Sequence, residues 1–219
     1  MLNITAEKLE NALFTTSKPN EKAHRCVMVF DNKRAITYQH GSHSSFKKDQ
    51  KVILYNVVNS DLEIEVVVSV VSEDHDFVIF ELANGEFPYY PHRSDSMYRG
   101  QDYRQLGVDQ KREPVWKDGM ISKRRLGCFL GTTHGEHGDS GSGIFNLNGS
   151  FIGISVAKKR FALSSLQISG SAFDLEPVAD HHPETKLISA DAIYLVLKID
   201  DDDDANYEPF DKKPTPGTE

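Results

Sequence analysis

Apolar and polar positions alternate with a period of two in the clearest segment of the chain. Leu62, Ile64, Val66, Val68 and Val70 share one parity, with Glu63, Glu65, Val67 and Ser69 between them, which is the pattern of a strand with one buried face. Shorter apolar runs predict strands over 24–30, 34–38, 51–58 and 77–80, with Asp31-Asn32-Lys33 turning the chain between the first two. A polar stretch with prolines and tyrosines, 84–100, reads as a linker. Beyond it a second group of strands is expected at 103–107, 115–122, 126–131, 142–146 and 151–158. The last two form a hairpin around Leu147-Asn148-Gly149, since Asn-Gly supplies the left-handed turn that hairpins need. One helix is expected, capped by Ser189, with Asp191 in its first turn, Ile193, Leu195, Val196 and Leu197 on its apolar face and Lys198 near its end. Many short strands in two groups predict an all-β chain built as paired barrels or a sandwich. No internal repeat is visible.

Composition narrows the class. The chain has 219 residues, 38% of them hydrophobic and 26% charged, ordinary for a water-soluble domain or two. Its longest aliphatic run, Val66-Val67-Val68-Ser69-Val70-Val71, is far below the ~18 residues of a membrane helix, so no membrane partner is expected. Charges fill the N-terminal decapeptide where a secretory signal would be apolar, and two cysteines, Cys26 and Cys128, make no disulfide framework. Both features predict an intracellular, reducing setting, and the two cysteines, lying in apolar strands, are expected to be buried free thiols. The net charge of −8 is uneven: eight of the 33 acids and two of the 25 bases lie from Asp200 onward, leaving the body at −2. No nucleic-acid partner is expected of such a chain. The acidic end is expected to be a disordered, solvating tail, with a basic partner or a cover over a cleft as the alternatives.

The segment Gly135-Glu136-His137-Gly138-Asp139-Ser140-Gly141-Ser142-Gly143 carries the candidate chemistry. Four glycines in nine residues let backbone amides approach a ligand closely, and a serine sits among them. Acyl transfer needs that arrangement: a hydroxyl attacks a carbonyl while neighbouring N–H groups stabilise the oxyanion. A glycine-rich surface turn would look the same, so the test is whether a base and an orienting carboxylate exist elsewhere.

They do, in contexts that resemble the trypsin-like serine proteases of the chymotrypsin fold. Ala35-Ile36-Thr37-Tyr38-Gln39-His40 is similar to that family's histidine motif, Asp76-Phe77-Val78-Ile79-Phe80-Glu81-Leu82 to its aspartate motif and Gly138-Asp139-Ser140-Gly141 to its nucleophile motif. The order His, Asp, Ser is the chymotrypsin order and not that of the α/β-hydrolases. The hairpin after the serine resembles the HtrA-like and viral branches. The resemblance implies two antiparallel six-stranded β-barrels and a C-terminal helix. It divides the chain into an N-terminal extension 1–20, a first barrel 21–90 with the histidine and aspartate, a second barrel 91–187 with the serine, a helix 188–199 and a tail 200–219. It implies a serine endopeptidase acting on protein or peptide without a cofactor or metal.

The roles implied are His40 as general base, Asp76 as its orienting carboxylate, Ser140 as nucleophile and the amides of Gly138 and Ser140 as oxyanion hole. Competitors exist for each side chain: His43 for His40, Asp74 for Asp76, Ser142 for Ser140. His134, and His137 beside it, are implied at the substrate pocket, although loop residues would read equally well. Ser155, Val156 and Ala157 are implied to pair with the substrate backbone as an added strand. A zinc site at His134 and His137 is not expected, because no cysteine stands near. The family's activating N-terminus has no counterpart here, so Asp139 requires another partner, or the site is ordered only by substrate or an activator. A protease-like module that binds peptide without cleaving it, and an esterase using the same residues, are the rival functions.

Overall fold

The structure, a computed structural model, describes residues 2–21, 25–133, 138–158 and 185–205. Six strands, β1 (Leu13–Thr15), β2 (Cys26–Val29), β3 (Arg34–Tyr38), β4 (Lys51–Asn56), β5 (Glu63–Ser72) and β6 (Phe77–Glu81), close into a barrel in the order β1-β2-β3-β6-β5-β4. A second six, β7 (Asp102–Val108), β8 (Pro114–Arg125), β9 (Cys128–Gly131), β10 (Gly143–Asn146), β11 (Phe151–Lys158) and β12 (Thr185–Ser189), close in the order β7-β8-β9-β12-β11-β10. All pairings between these strands are antiparallel. The two orders are the same path traced twice. That repeat is one of topology and is carried by no sequence similarity between the halves, because a barrel asks only for alternation and turns.

Alternation in β5 has its expected outcome: Val66, Val68 and Val70 are buried, and Glu63 and Glu65 are exposed. The hairpin between β10 and β11 turns through Gly149 at φ +81°, with Asn146 accepting from the amides of Asn148 and Ser150. Three elements go beyond the sequence expectation. Helix α1 (Leu2–Glu10) and β1 fall in the stretch read as an extension, and β12 follows a long undescribed segment. β1 has only three residues, too few to show a period, yet all are buried and it pairs with both β2 and β4. Without it the first barrel would carry two open edges.

Helix α2 (Ala190–Ala205) starts where expected and continues through the five aspartates assigned to the tail. Ile193 and Leu197 dock its first turns, after which each added residue gains a backbone hydrogen bond without a new nucleation cost. Acids at a helix C-terminus oppose its dipole, and Lys48 Nζ, 3.2 Å from Asp200, offsets part of this. The remainder of the tail, 206–219, lies outside the described residues. No helix among the described residues is long and apolar enough to cross a membrane.

The barrels are joined by an aromatic chain. Phe30, just after β2, stacks on Phe151 of β11 at 5.7 Å, Phe151 meets Phe145 at 6.0 Å, and Phe145 meets Trp116 at 6.0 Å. Tyr194 of α2 packs edge-on against Phe30 at 5.8 Å. One continuous buried cluster thus runs from the first barrel into the second and under the helix. This fixes the seam along which the chemistry-bearing loops meet.

Candidate active site

Strand register brings His40 to Asp76. Tyr38 of β3 pairs with Phe77 of β6, so the residues just beyond these ends face each other, and the Gln39 amide donates to the Asp76 carbonyl at 3.1 Å. Asp76 ends the β5–β6 turn in the left-handed region, φ +63°, which aspartate tolerates better than most residues. Its carboxylate accepts from the His40 amide at 3.0 Å and lies 2.8 and 2.9 Å from His40 Nδ1. A carboxylate can only accept here, so Nδ1 carries a proton, and it is the neutral form of the ring that offers its Nε2 lone pair. Ser140 Oγ lies 3.4 Å from that Nε2, reaching it from the second barrel.

Ser140 rides on a tight turn in which the Ser142 amide donates to the Asp139 carbonyl at 3.1 Å. Gly141, the third residue of the turn, has φ +89°, as a type II turn demands. A side chain there would also collide with the Cys26 carbonyl of the first barrel. The Gly141 amide donates to the Ser155 carbonyl at 2.7 Å, tying the turn to β11. Gly138 has φ +105°, a conformation open essentially to glycine. Among the described residues no acceptor is paired with the amides of Gly138 or Ser140.

The competitors separate clearly. His43 is buried at 1% exposure, and its Nδ1 donates to the Tyr38 carbonyl at 3.0 Å while Thr16 donates to its Nε2 at 2.8 Å. Burial holds its pKa down to about 4, the Tyr38 carbonyl opposing and the Arg25 charge and His40 adding to the shift. Ser142 is fully buried, and Asp74 makes no hydrogen bond to either histidine among the described residues. Asp139 has the partner that the sequence could not name: Lys117 of β8 bonds both its carboxylate oxygens, at 2.9 and 3.1 Å.

His134 and His137 lie outside the described residues. Ser155 is buried, and both its backbone groups are engaged, the amide to the Ser142 carbonyl at 2.9 Å and the carbonyl to Gly141. Val156 is buried at an irregularity in the β11–β12 ladder, between Ser155 and Ala157. Any substrate pairing along β11 therefore begins beyond Ser155. Cys26 is a buried free thiol and its pKa is pushed up by that burial, whereas Cys128, expected to be buried, is half-exposed. β9 leaves it near a hairpin end, where one face meets solvent.

Two closed six-stranded barrels with a C-terminal helix make up the chymotrypsin fold, the architecture of the trypsin-like serine proteases. No protein-family model matches the sequence, and no curated protein matches it either. Solved structures do. A serine-to-alanine mutant of Rv3671c from M. tuberculosis H37Rv, in an inactive form, is 16% identical over 94% of this chain and 93% of that one, with a TM-score of 0.62. The apo MamO protease domain from Magnetospirillum magneticum is 13% identical over 87% of this chain and 98% of that one, at 0.60. An inactive form of the Rv3671c protease is 18% identical over 90% and 93%, at 0.57.

Proposed function

We propose that this chain is a serine endopeptidase working through His40, Asp76 and Ser140. The observation that carries the reading is the continuous chain Asp76–His40–Ser140, in which His40 presents Nε2 3.4 Å from the Ser140 hydroxyl. Ser140 Oγ attacks the carbonyl carbon of a peptide bond as His40 takes its proton. The amides of Gly138 and Ser140 receive the developing oxyanion. His40 returns the proton to the departing amine, and water, activated by the same imidazole, hydrolyses the acyl-enzyme. His134, His137 and the β11 strand beyond Ser155, at Val156 and Ala157, are the proposed substrate-binding elements, and the buried free thiol of Cys26 favours a reducing compartment.

The Ser140–His40 separation exceeds the usual ~2.8 Å of a hydroxyl hydrogen bond, which favours a second reading, a groove that binds peptide without cutting it. Such distances commonly tighten only when substrate binds. A fluorophosphonate probe decides between them: wild-type protein should be labelled at Ser140 and the Ser140→Ala variant should not. A folded wild type that resists labelling overturns the hydrolase reading. Turnover of esters alone, with no peptide cleaved, would restrict it to an esterase.

A further inference from the structure

A recess of about 320 Å³ opens on the first barrel, between the segment that joins β1 to β2, the turn after His40 and β4. Three of its lining residues, Lys18, Arg25 and Lys51, are cations, and none is an acid. Two contacts place it next to the chemistry. Its lining residues Ser42 and His43 belong to the turn Gly41–His43 directly after His40, and one ring, Tyr38, touches both His40 at 4.6 Å and His43 at 4.4 Å. Arg25 precedes Cys26, whose carbonyl is the surface that Gly141 approaches, one residue beyond Ser140.

The cations are loosely occupied. Arg25 meets Glu21 at 3.9 Å, longer than a hydrogen bond, with both side chains partly exposed. Lys51 bonds Glu65 at 2.8 Å on the open surface, where water screens the pair and two ammonium donors remain. Among the described residues no acid is paired with the Lys18 ammonium. The segment carrying Lys18 is braced from the second barrel: Arg112, in the turn between β7 and β8, donates Nη1 to the Lys18 carbonyl at 2.8 Å. Arg112 is held at φ +69°, a region that long side chains rarely adopt, and its Nη2 is buried with no acceptor among the described residues. Both barrels thus gather positive charge at this recess, and Phe46 and Tyr55 add apolar surface for the stem of a bound side chain.

The direction of a substrate follows from the proposed reaction. Its acyl side belongs to β11 of the second barrel, beyond Ser155. His40 hands its proton to the leaving amine, so the residues that follow that amine run out over the first barrel, past Gly41–His43 and Arg25. We propose that Lys18 and Arg25, with Lys51 adding to their field, read an acidic side chain in the part of a peptide that leaves with the amine. The chain is then an endopeptidase selective for an acid shortly after the cleaved bond. This rests on the serine-endopeptidase reading above and adds the class of substrate. The three cations touch no reacting atom; they act by attraction, which steers the acid and fixes the register of the peptide.

The test uses the full chain and matched peptides that share one acyl half, taken from the peptide cleaved best, and carry Glu, Gln or Lys at the first, second or third position after the cleaved bond. kcat/KM is measured at low and high salt for wild type, Lys18→Gln, Arg25→Gln, the double variant and Lys18→Glu. Fluorophosphonate labelling of Ser140 is the control, because that probe has no leaving peptide. At one of the three positions Glu should be favoured over Gln about 5- to 10-fold, and over Lys by more. High salt should shrink the preference, since the recess is open to water. Each single Gln substitution should lower it, the double variant should bring it below about twofold, and Lys18→Glu should turn it toward Lys. All variants should label at the wild-type rate. Equal rates for Glu and Gln at all three positions overturn the proposal and leave the hydrolase reading intact, as does a preference untouched by the double variant. A double variant that loses labelling together with the preference acts on the catalytic groups and not on the substrate, which overturns it as well. Wild type that cleaves no peptide removes the endopeptidase reading, and the proposal with it.

Discussion

His40 and His43 are three residues apart and have opposite environments. His40 is exposed with its ring held by Asp76, whereas His43 is sealed beneath Tyr38 and stacked on Phe46 at 5.0 Å. A buried neutral imidazole is a pH-dependent contribution to stability. With a folded pKa of about 4 against an ordinary 6.5, the unfolded chain takes up a proton between these values and the folded chain does not. Stability is then fully present above pH 6.5 and is lost as pH falls toward 4, by about 3 kcal/mol from this group. Thermal melts of wild type and His43→Gln across pH 4 to 7 check it: the wild type should lose more stability on acidification than the variant. Parallel curves would assign the acid sensitivity elsewhere.

At the scale of elements, α2 is held by its first turns and not by its acidic end. Ile193 is fully buried and Leu197 nearly so, and Tyr194 reaches the first barrel through Phe30. Ile193→Ala should therefore cost about 2–4 kcal/mol in denaturant unfolding. The Ser140 labelling rate of the folded protein should stay unchanged, since α2 supplies no group to the relay. Removing the Lys48–Asp200 pair, which is partly exposed on both sides, should change stability by less than about 1 kcal/mol. A large effect of the ion pair and a small one of Ile193 would reverse this account of how the helix is anchored.

For the whole molecule, the decisive fact is that the relay is divided between barrels. His40 and Asp76 belong to the first, and Ser140 to the second. Their distance is set by packing at the seam, where Phe151 contacts Phe30 and Phe145, and Gly141 fits against the Cys26 carbonyl. Truncating Phe151 to alanine should destabilise by about 3–5 kcal/mol. Because the cluster is shared, it should also slow Ser140 labelling in the protein that remains folded. Calorimetry with labelling measured below the transition checks both, and an unchanged labelling rate would show that the seam tolerates a cavity without moving the loops.

The strands of both barrels were legible wherever alternation ran long enough, as in β5, or where turn chemistry was explicit, as at Asn148-Gly149. The three motifs around His40, Asp76 and Ser140 were legible because each combines a residue type with a local backbone demand. β1 was not, being three residues whose strand character comes wholly from its two neighbours. Lys117 was not, although the unmet charge of Asp139 was evident: many lysines could answer it, and only the β7–β8 register and the fold of the loop choose one. Local pattern thus specifies secondary structure and the candidate chemistry-bearing residues, since both depend on near neighbours in the chain. Which charge meets which, and how far a hydroxyl lies from an imidazole one hundred residues away, depends on packing between barrels, where contacts of a few ångströms join residues that no sequence spacing relates.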